Sequence, residues 1–146
     1  MGRTGDLFAF QHTGVTPDIM ALAKALGGGF PMGAFLTAAA AGKGMTAGTH
    51  GSTFGGNPLA MAAANETLDV MLAPGFFDKM RRNALLLKQR LAEIKDRHPA
   101  VIADIRGEGL LIGLHAVVPN GELVDALRAE KVLAAPATTW CGCCRR

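Results

Sequence analysis

The chain has 146 residues, 49% hydrophobic and 18% charged, and its 15 basic and 12 acidic side chains leave a formal charge of +3. So much apolar content excludes intrinsic disorder, and no run reaches the ~20 apolar residues of a membrane span or shows the basic-then-apolar start of a secretion signal. Scattered Lys and Arg, with one Trp and no Tyr, argue against a nucleic-acid partner. Cysteine occurs only at Cys141, Cys143 and Cys144, so no disulfide framework holds the body together. The expectation is a soluble, cytoplasmic protein that binds neither membrane nor nucleic acid.

Residues 1–16 are mixed, with Leu7, Phe8 and Phe10 as apolar anchors. Thr16-Pro17-Asp18 has the residue types of a helix start, with Thr as cap and Pro in the first turn. The run Ile19–Leu26 is short, however, and Gly27-Gly28-Gly29 stops it, so a buried strand entering a loop fits equally well. Phe30–Thr37 reads as a strand and Ala38–Ala41 as the start of a short helix. Asn57-Pro58 opens a clearer helix, whose small residues on several faces predict tight packing and extensive burial, and Pro74-Gly75 ends it. Phe77, Met80, Ala84, Leu87, Leu91 and Ile94 then recur at alternating spacings of three and four, which is one stripe of a helix with a solvated charged face around it. After His98-Pro99 the pattern turns to strand over Val101–Arg106, a Gly107-Glu108-Gly109 turn and a second strand Leu110–Val118. Pro119-Asn120-Gly121 is a turn, Glu122–Lys131 an amphipathic helix and Val132–Ala135 a strand. The class is α/β, in two pieces divided at Pro74-Gly75.

Two places carry candidate chemistry. Lys24 stands in Ala21-Leu22-Ala23-Lys24-Ala25-Leu26, with no other charge between Asp18 and Lys43. Apolar surroundings disfavour the charged form of an amine and free it to attack a carbonyl, while a lysine snorkelling from a helix face is the plainer alternative. The second place is Gly48-Thr49-His50-Gly51-Ser52-Thr53-Phe54-Gly55-Gly56-Asn57-Pro58, where the Ser52 and Thr53 hydroxyls, uncrowded amides and a helix start would cradle an anion. A turn followed by a cap explains the same residues. No Gly-Lys-Ser/Thr follows at P-loop spacing, and the four histidines are too dispersed to propose a metal site.

Taken together these segments resemble a known family. Gly2-Arg3-Thr4-Gly5, Phe8-Ala9-Phe10-Gln11-His12, Pro17-Asp18-Ile19, Ala23-Lys24-Ala25-Leu26-Gly27-Gly28-Gly29-Phe30-Pro31, Gly33-Ala34 and the stretch Thr49–Ala60 are similar, in order, to the class III pyridoxal-phosphate aminotransferases. The resemblance spans residues 1 to about 137 and lies nearest to the members that act on N-acetylornithine or N-succinyldiaminopimelate. It implies the C-terminal part of the fold type I architecture: residues 1–74 as the end of the large cofactor domain and 75–137 as most of the small α/β domain. It implies pyridoxal 5'-phosphate as cofactor, 2-oxoglutarate as amino acceptor, and no metal. Lys24 is implied as the catalytic lysine that joins the cofactor and moves the substrate proton. Thr53, with Ser52 beside it, is implied as a phosphate contact that reaches the neighbouring subunit's site in a homodimer. Aminotransferases for ornithine or 4-aminobutyrate share these motifs.

The same resemblance makes the chain a fragment. The family's Asp-Glu-Val-Gln-Thr-Gly segment, whose Asp faces the pyridine nitrogen, precedes the part matched here, as do its main phosphate loop and its stacking aromatic residue. At the other end, residues 138–146 depart from the family, which continues with a stretch like Asp-Asn-Val-Val-Arg-Leu-Leu-Pro-Pro. One permitted codon spelling of Thr138–Arg146, shifted by one base, encodes that stretch, so the tail reads as frameshifted and its cysteines as accidental. A zinc site is the rival reading, but Cys-Gly-Cys-Cys lacks paired CxxC motifs. The arginine lost with the frame is the family's clamp on the substrate carboxylate, and Arg106, Arg145 and Arg146 are not evident replacements. The isolated chain is expected to be inactive.

Overall fold

A computed structural model describes residues 1–136 and, by backbone alone, 141–143. The chain divides into two compact units: Met1–Gly2 with Asp6–Phe76, and Arg3–Gly5 with Phe77–Arg146.

In the N-terminal unit, β1 (Ile19–Ala23) pairs antiparallel with β2 (Gly33–Thr37), with Met20 opposite Leu36 and Ala23 opposite Gly33. A 3-10 turn, Lys24–Gly27, follows β1 directly. Of the two structures that Ile19–Leu26 allowed, the strand therefore forms, and it is too short to repay helix nucleation. The second strand begins at Gly33 rather than Phe30, because Gly27–Phe30 is spent on the turn and Phe30 N–H donates to the Gly27 carbonyl at 2.9 Å. The short helix read at Ala38–Ala41 is a 3-10 turn at Ala41–Gly44.

Helix α1 (Pro58–Leu72) starts where Asn57 Oδ1 accepts from the Ala60 N–H at 2.9 Å, with proline in the first turn where no donor is needed. Its burial departs from the sequence reading. Only Ala60, Ala64 and Met71 are buried, along one stripe, while Leu59, Val70 and Leu72 are exposed. Small residues on several faces show that close packing is possible there. Within the described residues, one face is packed.

The C-terminal unit is a sheet with helices packed on its core residues. Helix α2 (Phe76–Arg97) has Asp78 in its first turn and Lys95 and Arg97 in its last, each opposite in sign to the local end of the helix dipole. Strands β3 (Ile102–Glu108) and β4 (Leu111–Ala116) form an antiparallel hairpin turning at Gly109-Leu110. Gly107 and Glu108 belong to β3 rather than to the turn, so the first strand runs longer than the sequence suggested. Helix α3 (Asn120–Ala129) leads to β5 (Ala134–Pro136), and β6 (Cys141–Cys143) lies antiparallel between β4 and β5, giving the order β3-β4-β6-β5. The centre of the divergent tail thus supplies a strand. Residues 137–140 and 144–146 lie outside the described residues, as do the side chains of the three cysteines.

Ile102, Ile112, Leu114 and Val124 form the core cluster, with Leu87 and Leu91 of α2 and Leu123 and Leu127 of α3 packed against it. The alternation Ile112, Leu114 along β4 and the spacing Leu123, Val124, Leu127 along α3 place these residues on facing surfaces. Ala84, Leu87 and Leu91 follow the stripe read from sequence, whereas Ile94 sits at its margin, 36% exposed. Among the described residues no helix is long and apolar enough to cross a membrane.

Candidate cofactor-lysine site

Lys24 occupies the joint between β1 and the 3-10 turn, with φ at +55°. This is the left-handed region, which a residue with a Cβ enters at a cost and which concentrates at functional positions. The turn beyond it is anchored. Leu26 and Gly27 are buried, α1 packs against the turn, and Gly28 N–H donates to the Ala25 carbonyl at 3.2 Å. Gly28 is itself left-handed, with φ at +58°, and a Cβ built on it would lie 2.6 Å from Thr67 Oγ1 of α1. Glycine is required here both by backbone conformation and by the close approach of the helix.

The Lys24 side chain is exposed and forms no ion pair among the described residues. The apolar enclosure suggested by its sequence neighbours is therefore not built by this part of the protein. Ala23 and Ala25 are themselves exposed, and Leu26 turns inward to anchor the loop instead of covering the amine.

Ser52 and Thr53 lie in the irregular segment before α1, and both are exposed. Their hydroxyls have no hydrogen-bond partner among the described residues. Asn57 fixes the segment to the helix start: its Nδ2 donates to the Phe54 carbonyl at 2.8 Å while its Oδ1 caps α1. Space around the loop is open, since Cβ atoms built on Gly48, Gly51 and Gly56 would meet nothing within 4 Å.

The donor set fits pyridoxal phosphate. An exposed amine without an ionic partner suits an aldehyde carbon, and two unpartnered hydroxyls on an uncrowded loop suit a phosphate. Both places belong to the N-terminal unit. A groove of about 260 Å³ in the C-terminal unit, lined by Lys88, Ala92, Lys95, Asp104, Ile105, Arg106 and Gly107, contains none of these residues. Arg106 is a strand residue whose Nε donates to Asp104 Oδ2 at 2.9 Å. Among the described residues no cluster of three His, Cys, Asp or Glu side chains could hold a metal ion. Sequence reasoning missed Thr67, because a threonine inside an alanine-rich helix gives no signal until the turn it touches is known.

The class-III aminotransferase profile matches residues 1–141. Acetylornithine aminotransferase 1 of Bradyrhizobium diazoefficiens is 67% identical over 137 residues, covering 94% of this chain and 34% of the relative. The crystal structure of acetylornithine aminotransferase from Elizabethkingia anophelis superposes with a TM-score of 0.85 at 33% identity, over 97% of this chain and 37% of that one. An ornithine aminotransferase from Toxoplasma gondii, described with pyridoxal phosphate partially occupying its active site, superposes with a TM-score of 0.84 at 34% identity, over 96% of this chain and 34% of that one. The chain spans about a third of the length of the relatives it matches. With the profile match covering nearly all of its residues, the chain belongs to the class-III aminotransferases, a family that works with pyridoxal phosphate.

Proposed function

We propose that this chain carries the cofactor lysine and a phosphate contact of an aminotransferase that moves an amino group from N-acetylornithine to 2-oxoglutarate, a step of arginine biosynthesis. The observation that carries the reading is Lys24, an exposed amine without an ionic partner on a left-handed residue at the end of β1. The 67% identity to the Bradyrhizobium acetylornithine aminotransferase supports the choice of substrate. Ornithine is the second reading, favoured by structural likeness to ornithine aminotransferases at 34% identity. The greater identity to the acetylornithine enzyme supports N-acetylornithine over ornithine.

Bound pyridoxal phosphate would supply an electron sink that spreads the charge left when a proton departs from the carbon bearing the reacting amine. Lys24 Nζ would hold the cofactor, and the same amine would take the proton from the carbon that bears the substrate's reacting ω-amine. The anchored turn from Leu26 to Gly28 restricts where that nitrogen can swing, which lowers the entropic cost of reaching the proton. Thr53 donates its hydroxyl to the phosphate, with Ser52 beside it. The exposure of Thr53, next to a Phe54 ring that is 81% exposed, supports a role against a second subunit of a homodimer.

The test uses a full-length protein made by joining the preceding part of the Bradyrhizobium relative to residue 1 of this chain, with the tail in the frame that encodes the family stretch. Borohydride reduction and peptide mapping are expected to place the pyridoxyl group on Lys24. Label on Lys43 or any other lysine overturns the assignment. Lys24→Ala is expected to lower turnover by roughly 10²–10⁴-fold or more, the range of a positioned proton-transfer group. Thr53→Ala removes a hydrogen bond to a charged group, so cofactor affinity is expected to fall about tenfold or more. If the threonine acts across the dimer, mixing Thr53→Ala and Lys24→Ala subunits leaves one site whole in each mixed dimer. A panel of N-acetylornithine, N-succinyldiaminopimelate, ornithine and 4-aminobutyrate identifies the donor.

A further inference from the structure

Helix α1 does more than carry the Ser52–Thr53 loop at its start. Ten residues beyond its Asn57 cap, Thr67 turns its hydroxyl toward the Lys24 turn. Thr67 Oγ1 donates to the Ala63 carbonyl at 2.7 Å, a bond that fixes its rotamer, and the same oxygen lies 2.6 Å from where a Gly28 Cβ would stand. Thr67 Cβ is 3.8 Å from that position, an ordinary packing distance. The hydroxyl, rather than the threonine backbone, is what occupies the space a side chain at Gly28 would need.

The consequence for Lys24 follows from the shortness of the turn. Four residues, Lys24–Gly27, separate β1 from Gly28, and the first of them and Gly28 just beyond the last are left-handed, at φ +55° and +58°. A lysine relieved of restraint relaxes to negative φ, since its Cβ crowds the following carbonyl oxygen in the left-handed region. Two contacts oppose that relaxation at the far end of the turn. Leu26 is 5% exposed, and Thr67 Oγ1 lies on the free side of Gly28, 2.6 Å from where a Cβ would stand. The Lys24 side chain makes no hydrogen bond or ion pair among the described residues that would hold its conformation.

We propose that Thr67 is a positioning residue for Lys24: its hydroxyl, locked onto Ala63, seats Gly28 and thereby keeps the lysine in the left-handed conformation that aims its amine. This rests on the reading of Lys24 as the cofactor lysine. It adds a residue outside the motif and a way to tune the amine without touching it.

The test is a double-mutant cycle between Gly28→Ala and Thr67→Ala in the full-length protein described above. Three quantities are read: the rate of borohydride-trapped labelling at Lys24 relative to Lys43, the pH at which the visible band of the bound cofactor changes, and the melting temperature. Gly28→Ala brings a methyl against Thr67 Oγ1 and is expected to slow Lys24 labelling about tenfold and to move the titration of the band. Thr67→Ala alone loosens the seat, with an expected loss of about threefold, because Leu26 still anchors the turn. In the double variant the nearest helix atom is a Cβ at ordinary distance while the left-handed backbone cost of Gly28→Ala remains, so labelling recovers in part, to a value between those of Gly28→Ala and Thr67→Ala. Thr67→Ser keeps the hydroxyl and is expected to label as the parent does. Independent effects that multiply, or a Gly28→Ala variant whose labelling and titration match the parent, overturn the proposal. So does a cycle in which the melting temperature moves but neither the labelling ratio nor the titration does, which would make the contact structural only. Absence of label on Lys24 in the parent itself would overturn the cofactor-lysine reading, a different outcome from a parent that labels and a cycle that fails.

Discussion

The sheets of the two units differ in how much of their apolar surface is covered. In the C-terminal unit, Ile102, Ile112, Leu114 and Val124 are each no more than 5% exposed and are covered by side chains from α2 and α3. In the N-terminal unit, Ile19 is 58%, Phe35 47% and Leu36 49% exposed, on a two-stranded sheet. An isolated pair of strands is marginal in water, whereas four strands backed by helices can hold themselves. The chain spans about a third of the length of its relatives, so the open faces of the two-stranded sheet are a property of this stretch, whereas the four-stranded sheet is covered by helices that the same stretch supplies.

Truncating one large residue in each unit gives the widest contrast. Leu114→Ala deletes buried methyl groups from the centre of the core cluster and is expected to cost about 2–5 kcal/mol. Phe35→Ala removes a ring already half in water and is expected to change the stability of the same chain by about 0.5 kcal/mol or less. Urea unfolding followed by far-ultraviolet circular dichroism reads both. Equal losses would break the comparison, because they would show that the Phe35 face of the two-stranded sheet is covered as the Leu114 face is.

A smaller effect is expected at Gly109, where the hairpin of the C-terminal unit receives the early segment Arg3–Gly5. Leu110 N–H donates to the Arg3 carbonyl at 2.6 Å, and Arg81 Nη1 donates to the Gly5 carbonyl at 2.8 Å. Gly109 has φ at +57°, and a Cβ on it would strike the Arg3 carbonyl oxygen and the Thr4 backbone. Gly109→Ala is expected to cost about 1–2 kcal/mol from the left-handed backbone alone, and more if the early segment cannot move aside. Amide exchange gives the sharper reading: Leu110 should lose protection while the Leu114 amide keeps it. Unchanged exchange at Leu110 would show that the segment is not held by the turn.

The parts of this arrangement legible in sequence are those with local causes. Asn57-Pro58 marks the start of α1 because the cap and the proline act within one turn, and the stripe Ala84, Leu87, Leu91 marks the buried face of α2 because periodicity is set by the helix itself. The hairpin is legible, but residue types put its turn two residues early, since Gly107 and Glu108 are turn-like while their backbone pairs with Ile112 and Leu111. Lys24 and the Ser52–Thr53 loop stood out through their order along the chain. Lys24's left-handed backbone and its exposure were not visible, because both depend on what the following turn packs against. Thr67 and the seating of Arg3–Gly5 on the hairpin are contacts over long sequence separations. They leave no periodic or compositional trace.

The smallest effect concerns an exposed charge in the well-packed unit, where electrostatics should matter least. Asp104 sits at the shift of register between β3 and β4, where Ile105 N–H donates to its Oδ1 at 2.8 Å and Arg106 Nε to its Oδ2 at 2.9 Å. The backbone N–H first, and the guanidinium second, favour the ionised carboxylate and hold its pKa below the ordinary aspartate value. A carboxyl whose folded pKa is depressed contributes stability that is present above the unfolded pKa and is lost as pH falls through the folded one. The window is therefore on the acid side of the usual aspartate range, and neutral pH leaves the contribution intact. With Arg106 73% and Asp104 40% exposed, solvent screens the pair, so Asp104→Asn should be indistinguishable from the parent at neutral pH beside the loss expected for Leu114→Ala. Carbon-detected titration of the Asp104 carboxyl is the decisive measurement. A midpoint at or above the ordinary aspartate value would mean that the Ile105 and Arg106 bonds do not persist in solution, and that even the ordered unit is loose at the bulge where its first strand changes register.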